Sequence, residues 1–310
     1  MKALVIGAGV TGCFTAARLL HKGVNVSVLA RGEKAARLER DGLRMLDGMT
    51  NERSTVRLDI VRAPVAETFD VAMVCVQAPH RQSLAPLLRE LPGRPTFWYL
   101  GNTTQGYGAA IEQLGGDRIL GGFPGVGGTW EDDVLVYADR EKPGGKPFDR
   151  LILGEAHPDA ASAADAVQNH LQRAGMNIER YLPIMGWHWS HVAIILPHAG
   201  ALYRHGQDLD AAVADRALLK QAMRATAQGL AEIRRAGHPI LPRRLDLMRW
   251  IPATLGAGRI AALLQSKFGR IALAAHAATA RDEMHGFATD LLTLSGEKAG
   301  ADLRELLGAI

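Results

Sequence analysis

"KALVIGAGVTG", residues 2–12, is an apolar run that breaks into three glycines at Gly7, Gly9 and Gly12. "KALVIGAG" (2–9) reads as a buried parallel strand, "GCFTAARLLHKG" (12–23) as a helix and "NVSVLAR" (25–31) as the next strand. Strand, turn, helix and strand within about thirty residues make a βαβ unit. Each glycine has its own reason to be there: Gly7 for the tight turn, Gly9 so that backbone can approach a pyrophosphate, Gly12 for close packing of helix on strand. The helix N-terminus, at Val10 and Thr11, then faces the anion. The alternative is a glycine turn with a structural role only. The agreement of strand, spacing and helix predicts a dinucleotide site formed by Gly7, Gly9, Val10, Thr11 and Gly12.

The end of the second strand selects the dinucleotide. An acidic residue there would hydrogen-bond the ribose 2′-hydroxyl of NAD. The residue is Arg31, whose guanidinium matches a 2′-phosphate, and the expected cofactor is NADP. Glu33, two residues on, leaves a ribose contact open, and a solvated loop position is the plain alternative for Arg31.

Further strands are read at "DVAMVCVQA", "PTFWYLGN" and "RILGGFPG", with helical patterns at "HRQSLAPLLREL" and "YGAAIEQL" between them. "VLVYADR" and "RLILGE" read as additional strands, and a helix precedes "NIERYLP". From Ile184 onward the period is almost wholly helical. The expected fold is α/β: a Rossmann-type parallel-sheet domain over 1–182, then an all-helical domain over 183–310 with no strand in the main sheet. The glycines of "FPGVGGTW" (123–130) lack a following Lys-Ser or Lys-Thr, so a loop is expected rather than a phosphate cradle.

With 310 residues, 47% of them apolar, the chain can bury the cores of two domains. Its net charge of +4 is spread among acids and aromatics are only 5%, which argues against nucleic acid and favours small anionic partners. The glycines interrupt the N-terminal apolar run before a signal sequence forms. Pro197, His198, His276 and Arg281 interrupt the later ones, so no membrane span is expected. Cys13 and Cys75 lie in apolar segments whose spacing suggests no disulfide; a reducing cytoplasm is the expected location.

Several motifs, in order along the chain, resemble the ketopantoate reductases: "GAGVTG" (7–12), "LARGEKAARLERDGLRM" (29–45), "FDVAMVCVQA" (69–78), "YLGNTTQG" (99–106), "LILGE" (151–155), and the pair Trp189 and His191. The resemblance implies an NADPH-dependent reductase of a 2-oxo acid or related small carbonyl, with a helical domain that holds substrate and can serve for homodimerisation. It places Asn102 beside the nicotinamide and substrate. A family lysine that protonates the nascent alkoxide corresponds to His191, a second lysine at a strand end corresponds to Gln77, and a substrate-holding glutamate corresponds to Glu283. Both lysines are thus replaced.

Histidine can donate a proton near neutrality and, when charged, attract a carboxylate, so His191 is the candidate acid; a packed, hydrogen-bonded histidine is the alternative. His188 and His191 have i,i+3 spacing but no clear third ligand, and no metal is expected. His276 and Glu283 are seven apart, on one helical face, although an exposed Glu is the commoner case. Trp187, Trp189 and Trp250 are expected in the helical core. Two other functions stay open: an opine-type dehydrogenase, to which a histidine acid/base is suited, and a non-catalytic NADP-binding sensor, which the missing lysines suggest.

Overall fold

The computed structural model describes residues 1–138, 150–274 and 280–310. The chain divides into two compact units, one of Met1–Asn102 with Gly106–Ile184 and one of Thr103–Gln105 with Met185–Ile310.

The first unit begins with β1 (Lys2–Ile6), α1 (Val10–His21), β2 (Asn25–Leu29) and α2 (Gly32–Asp41), followed by β3 (Leu43–Asp47), β4 (Arg53–Val56) and β5 (Asp59–Val61). It continues through β6 (Val71–Val74), α3 (Ala85–Glu90), β7 (Thr96–Leu100), α4 (Gly108–Leu114) and β8 (Ile119–Pro124). β9 (Gly127–Glu131), β10 (Val134–Ala138), β11 (Arg150–Glu155), α5 (Ala161–Arg173) and β12 (Asn177–Arg180) complete it. The main sheet has the order β12-β11-β8-β7-β6-β1-β2-β5. From β8 to β5 every neighbouring pair is parallel.

Strands buried on both faces need continuous apolar runs rather than alternation. All four residues of β6 are buried, as are Ala3–Ile6 of β1 and Phe97–Leu100 of β7. Cys13, Phe14, Ala16, Ala17 and Leu19 bring α1 into the same core.

Three features depart from the expected parallel sheet. β11 pairs antiparallel with β8, so β11 and β12 run against the other six strands. Residues 43–61 hold β3, β4 and β5, which the sequence reading did not anticipate, because β4 is largely exposed and carries no apolar alternation. β10, the "VLVYADR" strand, joins a separate four-stranded sheet of order β4-β3-β10-β9 instead of the main one. The expected loop at "FPGVGGTW" is corrected as well: it is the end of β8 and most of β9. Its glycines serve close backbone packing, since a Cβ on Gly125 would lie 2.3 Å from the Arg150 carbonyl oxygen and one on Gly128 2.5 Å from that of Val136.

Among the described residues no strand follows β12. The second unit is built from α6 (Ile184–Arg204), α7 (Leu209–Ala214), α8 (Arg216–Arg235), α9 (Ala253–Gln265), α10 (Arg281–Ser295) and α11 (Ala301–Leu307). Val213, Leu219, Met223, Ala257 and Ala261 knit α7, α8 and α9 together. Gly200 lets α6 approach α11, where a Cβ would meet the Leu306 carbonyl oxygen at 2.3 Å. Trp187 and Trp189 are buried, but Trp250 is 76% exposed, contrary to the core position expected for it. It ends a 3-10 segment, Arg243–Trp250, none of whose side chains is buried. No described helix is long and apolar enough to cross a membrane.

Candidate active site

In an open α/β sheet, ligands bind at the carboxyl ends of the strands where the strand order reverses. Here the chain leaves β1 toward β2 and β5 on one side and returns to β6, β7 and β8 on the other. The carboxyl ends of β2, β1, β6 and β7 therefore stand side by side and carry Arg31, the glycine turn, Gln77 and Asn102 in that order. Three strand spacings separate the outer two, about 14 Å, the scale of an extended dinucleotide.

The glycine turn has a different geometry at each residue. Gly7 has φ +107°, and a Cβ there would meet Val76 Cγ1 at 2.9 Å and the Cys75 carbonyl oxygen at 3.2 Å. Its N–H donates to the Leu29 carbonyl oxygen at 3.3 Å, so the turn is tied to the ends of both β6 and β2. A Cβ on Gly12 would lie 1.8 Å from the Gly7 carbonyl oxygen, while one on Gly9 would meet nothing within 4 Å. The space in front of Gly9 is open. Gly9 caps α1, whose first turn, with the half-buried Val10 and Thr11, contains no acidic residue. Its unsatisfied N–H groups and positive dipole end suit an anion.

Arg31 is exposed at the N-cap of α2, and Glu33 beside it is also exposed. One turn on, Lys34 places its Nζ 3.8 Å from the centre of the Trp130 ring, and burial pushes its ammonium pKa down. Arg37 is near the same indole and pairs with Asp133. Positive charge thus collects on the first turn of α2; the sequence reading named only Arg31, and Lys34 was readable as its i+3 neighbour.

At the β6 and β7 ends, Gln77 is exposed, whereas Asn102 is 4% exposed with its Oδ1 buried and without a hydrogen-bond partner. Arg81, which the sequence reading left on a helical pattern, is half-buried between the two strand ends. Its Nε donates to the Val76 carbonyl oxygen at 3.4 Å, its guanidinium lies 5.8 Å from the Tyr99 ring centre, and its Nη2 is buried without a hydrogen-bond partner. The signal for it is an arginine just past the carboxyl end of a central strand.

His191 and Glu283 belong to the second unit, on α6 and α10. The His191 ring is half-buried and stacks on Trp187, one turn earlier, with centres 5.0 Å apart and planes 12° from parallel. His188 is fully buried and meets Trp187 edge-on. His198 Nδ1 lies 2.7 Å from the Ile194 carbonyl oxygen, and burial pushes the pKa of this histidine down. Glu283 is buried in the first turn of α10, where the helix dipole favours a carboxylate. His276 lies outside the described residues. Among those described, no three His, Cys, Asp or Glu gather as a metal site.

Residues 3–144 match the family model for ketopantoate reductase PanE/ApbA. That region is therefore similar to the ketopantoate reductase family. No curated protein matches the chain. Among solved structures, 2-dehydropantoate 2-reductase from Geobacter metallireducens is 18% identical, with TM-score 0.75 over 100% of this chain and 98% of that one. A dimeric ketopantoate reductase from Staphylococcus aureus is 13% identical, with TM-score 0.68 over 99% and 98%. D-mandelate dehydrogenase, solved with NADH and anilino(oxo)acetate, is 14% identical, with TM-score 0.70 over 100% and 97%. At these identities the neighbours establish the ketopantoate reductase fold. Within it the chain is divergent, having Gln77 and His191 at the two positions where the family resemblance implies lysine.

Proposed function

We propose that this divergent ketopantoate reductase relative is an NADPH-dependent reductase that converts a 2-oxo acid, or a related small carbonyl, to the 2-hydroxy compound. The observation that carries the reading is one sheet edge that combines an open glycine turn with a buried, unpartnered Asn102 oxygen. A buried polar atom without a partner costs free energy that a bound ligand can recover. The residues fit the group: Gly7, Gly9, Val10, Thr11 and Gly12 would hold the pyrophosphate, Arg31 the 2′-phosphate, and Gln77 and Asn102 the nicotinamide end. The reduced nicotinamide supplies a hydride when bound.

The chain's own groups do the rest. Asn102 orients the carbonyl and His191 gives a proton to the oxygen as its carbon is reduced, so that C=O becomes CH–OH with one hydride and one proton consumed. Stacking on Trp187 fixes the plane of the His191 ring, and Glu283 holds substrate. The helical domain, expected over 183–310, would also serve homodimerisation, as the dimeric S. aureus neighbour suggests. NADP over NAD rests on Arg31 with Lys34 behind it, while the neighbour solved with NADH is the precedent for the other choice. Free thiols at Cys13 and Cys75 suit a cytoplasmic setting.

The test is NADPH consumption with a panel of 2-oxo acids, each with and without amines. Reduction of an oxo acid alone supports the proposal. Turnover only with an amine present would make the enzyme opine-type, and tight NADPH binding without turnover would make the chain a sensor.

A further inference from the structure

Gly101 has φ +144°, and a Cβ there would lie 2.8 Å from Arg81 Nη2. The guanidinium is therefore packed over the backbone next to Asn102, so a buried donor and a buried acceptor, both without hydrogen-bond partners, flank one strand end. Among the described residues no carboxylate pairs with Arg81. It is also the only lysine or arginine in residues 75–88 and 99–110. A guanidinium stays charged at any working pH, so it cannot relieve the burial of its unpartnered Nη2 by losing a proton, and an anion there would compensate it.

We infer that Arg81 binds the carboxylate of the substrate, supplying at the β6–β7 edge the positive charge that Gln77 does not. The inference deepens the 2-oxo acid reading above and rests on it. A carboxylate fits better than a phosphate: the anion-binding glycine turn belongs to β1, whereas Arg81 stands with Asn102 at the end of the sheet edge where the carbonyl is reduced. A planar fork of N–H donors matches a carboxylate through two parallel hydrogen bonds. Screening by water is weak at this point. Burial pushes the Cys75 and Tyr99 pKa values up to about 12 and that of Tyr107 higher still, and in each case the Arg81 charge draws the value partly back. The guanidinium would thus select acids over uncharged carbonyl compounds.

The experiment compares the parent with Arg81→Gln and Arg81→Lys. Calorimetry measures binding of oxamate, a 2-oxo acid isostere that resists reduction, to the NADP-loaded protein. Kinetics measure KM for a 2-oxo acid and for a matching ketone without the carboxylate, and NADPH affinity is titrated separately. Arg81→Gln should weaken oxamate and raise KM for the acid by about 10- to 100-fold, with the ketone and NADPH unchanged. Arg81→Lys, which keeps charge but loses the fork, should recover part of the loss, and it carries the test if Arg81→Gln fails to fold. Oxamate binding unchanged in Arg81→Gln, or equal losses for acid and ketone, would overturn the inference. So would a loss confined to NADPH, which would put Arg81 on the cofactor. A parent protein that neither binds oxamate nor reduces any 2-oxo acid overturns the proposed function and this inference with it; an active parent and an unaffected Arg81→Gln overturn the inference alone.

Discussion

The carbonyl oxygen of Gly7 occupies a point 1.8 Å from where a Cβ on Gly12 would be, so strand end and helix start touch backbone to backbone. Gly12→Ala must push α1 off the sheet and should cost about 1–3 kcal/mol of stability, measured by urea unfolding. Gly9→Ala behaves oppositely, because a methyl group there meets no protein atom and Gly9 has an ordinary φ of −77°. Stability should change by only a few tenths of a kcal/mol, while NADPH binding weakens on the order of tenfold, the equivalent of one backbone hydrogen bond. Equal NADPH affinity in Gly9→Ala and the parent would remove the pyrophosphate from this turn.

In the proposed function, Arg31 selects NADPH over NADH. It is exposed at the N-cap of α2, and only NADPH carries a 2′-phosphate for it to pair with. Arg31→Ala should cost about 1.5–3 kcal/mol of NADPH binding and leave NADH nearly unchanged in fluorescence titrations. Equal losses for the two would show that Arg31 does not read the phosphate.

The first three elements were legible because glycine spacing and continuous apolar strands leave one arrangement open, and β1, α1 and β2 formed where they were read. β3, β4 and β5 escaped because short, exposed strands such as Arg53–Val56 bury too little to need an apolar pattern. Gly128 resembled a loop residue, since a strand that packs backbone against backbone uses the same residue as a turn. Arg81 was hidden for a different reason: nothing in "QAPHRQ" distinguishes a solvated helix arginine from one folded against Gly101, twenty residues later.

In the second unit, Asp215 caps α8 by accepting the Leu218 N–H at 2.9 Å, with His205 Nε2 at 3.2 Å from its other oxygen. The backbone N–H of Leu218, more than the imidazole, holds the carboxyl below its usual range. A lowered folded-state pKa stabilises above the unfolded value and loses that contribution as pH falls through the folded one. Asp215→Ala should therefore cost about 1 kcal/mol at neutral pH, and the gap in unfolding free energy should shrink in acid. A gap that widens in acid would contradict the cap.

For His191, the proposed acid role predicts that kcat/KM for a 2-oxo acid falls as pH rises through neutrality, provided that chemistry limits the rate. His191→Gln should slow turnover by roughly 10²–10⁴-fold, and His191→Lys should carry activity to higher pH. A His191→Gln variant with the parent's rate and profile would make the residue a packing partner of Trp187 only.

The central claim, hydride delivery from NADPH to the carbonyl carbon of a 2-oxo acid, is tested most directly by following the hydride itself. The enzyme is given NADPH deuterated at the transferable C4 position together with a 2-oxo acid, and the product is analysed by mass spectrometry and NMR. The account predicts one deuterium at C2 of a single enantiomer of the 2-hydroxy acid, formed in step with NADPH consumption. Oxidation of NADPH without deuterium at C2, or no oxidation with any 2-oxo acid at saturating cofactor, would contradict it.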